Sequence, residues 1–454
     1  MNLHIVILAA GAGTRMKSAQ PKVLHCLAGR PLLGHVLHTA QSLTPAQTHV
    51  VYGHGGDMVR SEFAGYDLNW VLQDQQLGTG HAVQQAMPAI PDEAHVLVLY
   101  GDVPGLQPDT AKELLRAAAD GLSILTVHME DPSGYGRIIR SADGTVQAIV
   151  EHKDADPAQL SVQEVNTGFM AAPAKRLRNW LGQLSCNNAQ GEYYLTDCVA
   201  LARADEQMVE AVQTADHMQV QGVNDRVQLA DLERRWQRRC AETLMRQGVT
   251  LADPHRLDLR GSLKAGEDCF IDVNCVIEGE VQLGAGVRIG PHCVLRNCTL
   301  EKGVEVKAFS HIEGAQLGAH CVIGPYARLR PGTKLAEQVR VGNFVETKKA
   351  EVGKGSKINH LSYVGDAQLG SGVNVGAGTI TCNYDGVNKH QTHIGNDAFI
   401  GSNSALVAPV SIGTGATIAA GSTITKDAPE NALTVARTKQ RSIADWARPQ
   451  KKLK

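Results

Sequence analysis

The sequence predicts two architectures in one chain. An α/β domain with a Rossmann-like, mostly parallel sheet over residues 1–225 is joined, through a helix over 226–248, to a parallel β-helix over 249–454. Three observations predict it. Short apolar runs alternate with helical stretches up to about residue 225, a segment without internal Gly or Pro follows, and beyond residue 260 an aliphatic residue followed by Gly recurs on a six-residue frame. A chain of 454 residues also exceeds what one hydrophobic core organises, since single cores stop growing at roughly 250–300 residues.

In the first part the strands read as LHIVILAAG, THVVYG, HVLVLYGD and LSILTVH, with Pro108 to Ala119 as an amphipathic helix between the last two. Strands that alternate with helices form mostly parallel sheets, whose ligands lie outside the carboxyl ends of the strands. Gly11 to Lys17 and Gly101-Asp102 fall there. The connecting helix carries Leu229, Leu232 and Trp236 at helical spacing and stops at Gly248. After it, pairs such as Leu283-Gly284, Ile289-Gly290, Leu317-Gly318, Ile323-Gly324, Leu369-Gly370 and Val375-Gly376 mark a six-residue frame that runs to about Thr425. One inward aliphatic side chain per hexad, three hexads per turn and small residues at the corners describe a triangular coil whose stacked turns bury a continuous core. The stretch from Thr381 to His390 breaks this frame and reads as an added loop.

Composition narrows the function classes. Apolar residues make up 43% and charged residues 20%, as in a packed globular enzyme, and the aromatic content of 4% suits a narrow aliphatic prism. A net charge of −2 provides no field to attract nucleic acid or an anionic membrane, so small charged ligands must be gripped locally. The N-terminal apolar run has no basic residues before it and is interrupted by glycines, which marks a buried strand rather than a signal peptide. Ten scattered cysteines without a CxxC pair or zinc spacing fit a reducing cytoplasm.

The stretch from Leu8 through Ala9, Ala10 and Gly11 to Arg15 and Met16, with Pro21-Lys22 soon after, puts glycines at a strand end. Main-chain N–H groups can approach phosphate oxygens there, and Arg15 and Lys22 supply positive charge. Asp102 offers a hard carboxylate for Mg²⁺ or, alternatively, caps its own loop. Uracil presents an acceptor–donor–acceptor edge that backbone groups near Ala10-Gly11 and the Gln73 amide can read. LAAGxGTRM followed by PK resembles the nucleotide-sugar pyrophosphorylases. So do, in chain order, Gln73, Gln76 to Gly80, Tyr100-Gly101-Asp102, Gly134 to Arg137, Glu151, Asn166-Thr167-Gly168 and Gly222-Val223-Asn224. The resemblance implies the nucleotidyltransferase fold and in-line attack of a sugar 1-phosphate on the α-phosphorus of UTP, with pyrophosphate leaving. It implies Mg²⁺ held by Asp102 and Asn224, although Asn224, placed before the helix, also reads as an N-cap. Arg15 and Lys22 would be the catalytic cations. Leu8, Ala9, Ala10, Gly11, Lys22, Gln73, Gly78, Thr79, Tyr100, Gly101, Asp102 and Asn224 would meet the nucleotide, and Gly136, Glu151 and Asn166 the sugar. Ala12, where related chains often carry a larger residue, is a variable position.

In the repeat region, Arg330, Lys348, His360, Tyr363 and Asn374 interrupt the hexads and are joined by Asn383-Tyr384 from the added loop. Acetyl transfer from a thioester to an amine needs a base, an oxyanion donor and cations for a substrate phosphate. His360 is the natural base because imidazole titrates near neutrality, although a lone His also suits an exposed corner. With NHLSYVGDAQLG, NVGAGTITCNYDG, FIGSNSALVAPV and ARTKQR in order, the whole chain resembles the family of bacterial bifunctional N-acetylglucosamine-1-phosphate uridylyltransferases and glucosamine-1-phosphate acetyltransferases. That resemblance implies a left-handed coil, which spacing cannot fix. It implies that His360 is catalytic and that Arg330, Lys348, Tyr363 and Asn374 bind the sugar phosphate. Ala377, Asn383, Tyr384, Ser402, Ala420 and Arg437 would bind acetyl-CoA. A prism exposes flat faces rather than a cleft, so sites are expected between subunits, and the resemblance implies a homotrimer. An adenylyl- or guanylyltransferase with shorter regulatory repeats and a non-enzymatic scaffold subunit share these folds. His360 with the Asn383-Tyr384 loop speaks against the first, and Arg15, Lys22 and Asp102 together against the second.

Overall fold

The computed structural model describes residues 2–451 apart from Ala12 and His54, so the variable position Ala12 lies outside the described residues. The chain divides into two compact units, Met1–Trp236 and Gln237–Lys454, with the division inside the helix Arg226–Arg246. In the first unit the strands are β1 (Leu3–Ala9), β2 (Gln47–Tyr52), β3 (Asn69–Leu72), β4 (His95–Tyr100), β5 (Leu122–His128), β6 (Arg137–Arg140), β7 (Val146–Val150), β8 (Glu164–Pro173) and β9 (Val209–Gln213). The main sheet runs β9-β5-β8-β4-β1-β2-β3. The pairs β1–β2, β1–β4, β2–β3 and β5–β9 are parallel. β1 is central and buried on both faces, with Ile5 and Ile7 in one apolar cluster and Val6 in another, which is why it reads as a continuous apolar run. The sheet's departure from parallel order is β8, antiparallel to both β4 and β5. Its pairing with β5 slips between Asn166 and Met170, so Asn166-Thr167-Gly168 bulges out of the ladder.

The expected helix from Pro108 spans Pro108–Ala117. The segment before Arg226–Arg246 carries a capping arrangement. Asp225 Oδ1 accepts from the backbone N–H groups of Val227 and Gln228 at 2.9 Å, and the Gln228 side chain accepts from the Asn224 N–H at 2.8 Å. Asp225 is therefore the cap, and the Asn224 side chain is released from that role. Leu232, buried with Met16, Leu27, Leu32 and Val223, draws the helix start onto the loop that follows β1.

The second unit is a coil of short strands. Arg328 pairs in parallel with Glu346 and Val322 with Arg340, each eighteen residues on, which is three hexads. Ile323, Leu329, Leu335, Val341, Ile358, Val364 and Leu369 all point into one core. Each such aliphatic side chain contributes roughly 1.5–3 kcal/mol by burial. Between Asn374 and its partner Phe399 the interval lengthens to twenty-five residues, because residues 383–390 leave the coil as a hairpin closed by an antiparallel bridge between Tyr384 and Lys389. Thr381 and Cys382, expected in the added loop, instead stay in the coil on the strand Ile380–Cys382. The last rung, Leu433–Thr434, lies past Thr425, where no aliphatic-Gly pair marks it.

The corners are not all small, since His320, Gln338 and Lys349 also hold positive φ, and one corner carries a continuous run of large residues. His292, Phe309, Tyr326, Phe344 and Leu361 occupy it with φ between 49° and 59°. The first four rings stack at centroid distances of 4.8, 5.0 and 5.4 Å. A left-handed backbone is costly for such residues, and stacking outside the prism offsets part of that cost.

Candidate active sites

In the first unit a cavity of about 230 Å³ opens at the carboxyl ends of β1 and β4. It is lined by Leu8, Ala9, Ala10, Gly11, Lys22, Gln73, Gly78, Thr79, Tyr100 and Asp102, together with Gln76 and Glu192. Chain reversal after a strand exposes main-chain groups here, and the elements that follow keep them open. Gln76 Nε2 donates to Ala10 O at 2.6 Å, which fixes the peptide at the end of β1. Gly78 is at φ +112°, and a Cβ there would stand 2.6 Å from Tyr193 O, so no side chain fits between this loop and the Tyr193 backbone.

Lys22 Nζ forms an ion pair with Asp102 Oδ2 and lies 3.3 Å from Asn224 Oδ1. Two oxygens from segments far apart in sequence thus face one cationic atom, in a place where both charged side chains are largely buried. Arg15 is exposed on the turn Thr14–Met16 and does not line the cavity.

Beyond Tyr100 the residues expected at the sugar come together. Asn166 N donates to Gly136 O at 2.8 Å, Gly168 N donates to Asn166 Oδ1 at 3.1 Å, and a Cβ on Gly168 would collide with the Tyr100 ring. Glu151 accepts from Thr196 Oγ1 at 3.0 Å, and burial, reinforced by Asp197 and Asp154, raises its carboxyl above the usual range. Burial likewise raises the Tyr100 hydroxyl, aided by Glu151 and Asp102, so it stays protonated and can donate.

In the second unit a column of residues climbs the prism beside the ring-bearing corner. Asn343 pairs with His360. Above it, backbone bonds link His360 to Gly378, Ala377 to Asn403 and Ser402 to Gly421, and the Arg437 side chain donates through Nη1 to Ala420 O at 2.7 Å. Ala377, Ser402 and Ala420 are therefore stacked over His360. The corner beside them changes from rings to Gly378, Asn403 and Gly421, leaving room for an extended ligand. His360 is exposed, and Asn343 Oδ1 lies 3.0 Å from its Nδ1. With the Asn343 amide oxygen turned to the ring, as it stands here, the ring proton sits on Nδ1 and Nε2 keeps its lone pair.

On the adjoining face Arg330 pairs with Glu346 at 2.8 Å, and Asn383 Nδ2 reaches Asp366 and, at 3.5 Å, the Tyr363 hydroxyl. Asn374 is half-buried on the strand one coil above Lys357, and Tyr384 is exposed on the hairpin. Lys389, from the same hairpin, lies against Lys348 and depresses its proton affinity, with Arg330 adding to the effect. Sequence reading missed Lys389, Gln76 and Glu192. Gln76 stood inside a recognised segment and Lys389 inside the frame-breaking loop, whereas nothing local marked Glu192.

Comparison with known proteins gives the chain's family. Residues 5–183 match the MobA-like NTP transferase domain, residues 259–352 the GMPPB C-terminal domain, and residues 391–426 the bacterial transferase hexapeptide (six repeats). The bifunctional protein GlmU of Alkalilimnicola ehrlichii is 62% identical over 447 residues, spanning 98% of this chain and 96% of that one. That of Marinobacter nauticus is 58% identical over 99% of both chains, and that of Chromobacterium violaceum 54% identical over 99% of both. At this identity over nearly full length, the chain belongs to the GlmU family of bifunctional proteins.

Proposed function

We propose that the chain makes UDP-N-acetylglucosamine in two steps. The second unit transfers acetyl from acetyl-CoA to glucosamine 1-phosphate, and the first transfers UMP from UTP to the product with release of pyrophosphate. Nearly full-length similarity to bifunctional GlmU proteins, with the two sites assembled in separate units, carries the reading. In the first unit the work is alignment and charge neutralisation rather than covalent catalysis. Gln73, the Ala10-Gly11 backbone, Gly78 and Thr79 hold uridine. Gly136, Glu151 and Asn166 hold the sugar, with Tyr100 between it and the nucleotide; Lys22 meets the phosphates inside the cavity, and Arg15, exposed on its turn, would reach them from outside it.

The donor set suits Mg²⁺. Such an ion takes one or two protein oxygens and completes its shell with water and substrate phosphates, and Asp102 and Asn224 already converge on the Lys22 ammonium. Mg²⁺ at these oxygens would neutralise charge on the reacting phosphates. Lys22, freed from Asp102, would pair with the nucleotide.

In the second unit His360 Nε2 takes the proton of the attacking amine. Ala377, Ser402 and Ala420 line the pantetheine track, with Arg437, Asn383 and Tyr384 at acetyl-CoA. Arg330, Lys348, Tyr363 and Asn374 bind the sugar phosphate, and Lys389 joins Lys348 on the phosphate. The half-exposed ring ladder His292-Phe309-Tyr326-Phe344 and the exposed Leu361 beside His360 support self-association along this corner, as a homotrimer. Buried thiols support a reducing, cytoplasmic setting: Cys275 and Cys293 donate to backbone carbonyls at 3.2 and 3.3 Å, and burial pushes them up to about 12 and about 11. Among the described residues no helix is long and apolar enough to cross a membrane.

The test supplies glucosamine 1-phosphate, acetyl-CoA, UTP and Mg²⁺ and follows free thiol, pyrophosphate and UDP-N-acetylglucosamine together. His360→Ala should lose thiol release and keep pyrophosphate release from N-acetylglucosamine 1-phosphate, and Asp102→Ala should do the reverse. Both activities falling together in either folded variant would sink the model of two independent sites.

A further inference from the structure

The base-reading end of the nucleotide cavity contains a side chain whose orientation is set by another. Gln73 is 4% exposed and lines the cavity. Its Nε2 lies 3.1 Å from Gly78 O and 3.1 Å from His81 Nδ1. A backbone carbonyl only accepts, so the atom facing Gly78 must be the amide nitrogen; turned over, two oxygens would oppose each other. Both amide hydrogens are then engaged. Gln73 Oε1 remains as a pure acceptor, since the side chain's hydrogen bonds within the described residues run through Nε2. Uracil carries a donor at N3, whereas cytosine carries a lone pair there. An acceptor fixed at this edge completes a hydrogen bond with the first and meets the second with repulsion and an unpaired buried group.

Gly78 alone holds one hydrogen of the amide. The second is held by His81, on the first turn of the helix Thr79–Ala86. For Nδ1 to accept, the ring proton must sit on Nε2, which lies 3.1 Å from Gln85 Nε2. A neutral ring accepts at one nitrogen only and Gly78 fixes the Gln73 amide, so it is the exposed Gln85 amide that turns its oxygen to the Nε2 proton. The ring is also held at 6.4 Å from that of Tyr193, and the Tyr193 backbone clasps the same loop through Gly80 N to Tyr193 O and Tyr193 N to Leu77 O, each 2.8 Å. We infer that His81 is a positioning residue for base selection: by accepting from Gln73 Nε2, it keeps Gln73 Oε1 an acceptor and so makes the site favour a uracil-type over a cytosine-type nucleotide. This rests on the uridylyl-transfer reading given above. His81 need not touch the nucleotide.

The experiment compares kcat/KM for UTP and CTP, with N-acetylglucosamine 1-phosphate and Mg²⁺, in the full chain and in His81→Ala, His81→Leu and His81→Asn. Alanine removes the acceptor. Leucine removes it while keeping volume against Tyr193, so the ratio stays readable should the alanine variant unfold, and asparagine can place Oδ1 where Nδ1 stood. The UTP/CTP ratio should fall about tenfold in the alanine and leucine variants, the scale of one lost hydrogen bond. It should stay within about threefold of wild type in the asparagine variant, with KM for the sugar phosphate unchanged throughout. A ratio within twofold of wild type in both the alanine and leucine variants overturns the inference, as does an equal loss with both nucleotides. Absence of UTP turnover in the wild-type protein would instead refute the uridylyl-transfer reading itself, so the two failures are distinguishable.

Discussion

The orientation of His360 hangs on one contact, and breaking it should have a measurable, bounded cost. Asn343 Oδ1 is 3.0 Å from His360 Nδ1, from the paired strand one coil below, and His360 is otherwise exposed. In Asn343→Ala nothing replaces the acceptor, so the ring is free to rotate and to carry its proton on either nitrogen. A hydrogen bond of this kind contributes about 0.5–1.5 kcal/mol, which corresponds to a loss of roughly 3- to 10-fold in kcat for acetyl transfer. Removing the base itself in His360→Ala should cost about 10²-fold or more. Asn343→Asp keeps an acceptor at the same place and should retain most of the rate. The assay is thiol release at saturating acetyl-CoA and glucosamine 1-phosphate, with pyrophosphate release from the other unit as the control for protein quality. An Asn343→Ala enzyme within twofold of wild type, or an aspartate variant as slow as the alanine one, would refute the reasoning.

Three further outcomes are expected. Lys389→Met should raise KM for glucosamine 1-phosphate about tenfold with kcat held, because two ammonium groups pressed together are best accommodated by an anion between them; an unchanged KM in steady-state assays would remove Lys389 from the phosphate site. Gly342→Ala would set a Cβ 1.9 Å from Asn359 O on the neighbouring coil, next to both Asn343 and His360. Acetyl transfer should fall more than about tenfold while uridylyl transfer persists, and a fully active variant would show that the coils part freely there. His49, 1% exposed, hydrogen-bonded to His4 at 2.9 Å and to Asn69 at 2.8 Å, is pushed down to about 4 by burial and by His4. The unfolded imidazole, near pH 6.5, takes up a proton that the folded one refuses, so stability present at neutral pH drops by about 3 kcal/mol as pH falls through that window. Urea midpoints of the first unit at pH 7 and pH 4.5 should converge in His49→Asn; an undiminished gap would put the acid sensitivity elsewhere.

Much of the fold could be read directly from local pattern. β1 announces itself because a central parallel strand is apolar on both faces, and the coil because Ile323, Leu329 and Leu335 must recur every sixth residue to reach one axis. The antiparallel course of β8 was not legible, since strand direction depends on which neighbour the chain returns to rather than on its composition. The ring-bearing corner was hidden for a related reason: Phe309, Tyr326 and Phe344 stand seventeen and eighteen residues apart, and only the coil brings them into register.

For the sites, the sequence by itself determined which chemical groups are present: glycines at a strand end, Lys22, Asp102 and Gln73 in one half, His360 with Lys348 and the Asn383-Tyr384 loop in the other. The tertiary structure decided what each group faces. It gave the helix cap to Asp225 and left Asn224 beside Lys22, set Asn343 behind His360, brought Lys389 to Lys348, and turned the Gln73 amide by Gly78 and His81. Residue type and local spacing fix what a side chain can donate or accept. The partner it meets comes from strand order and coil register, which are set by burial over the whole unit.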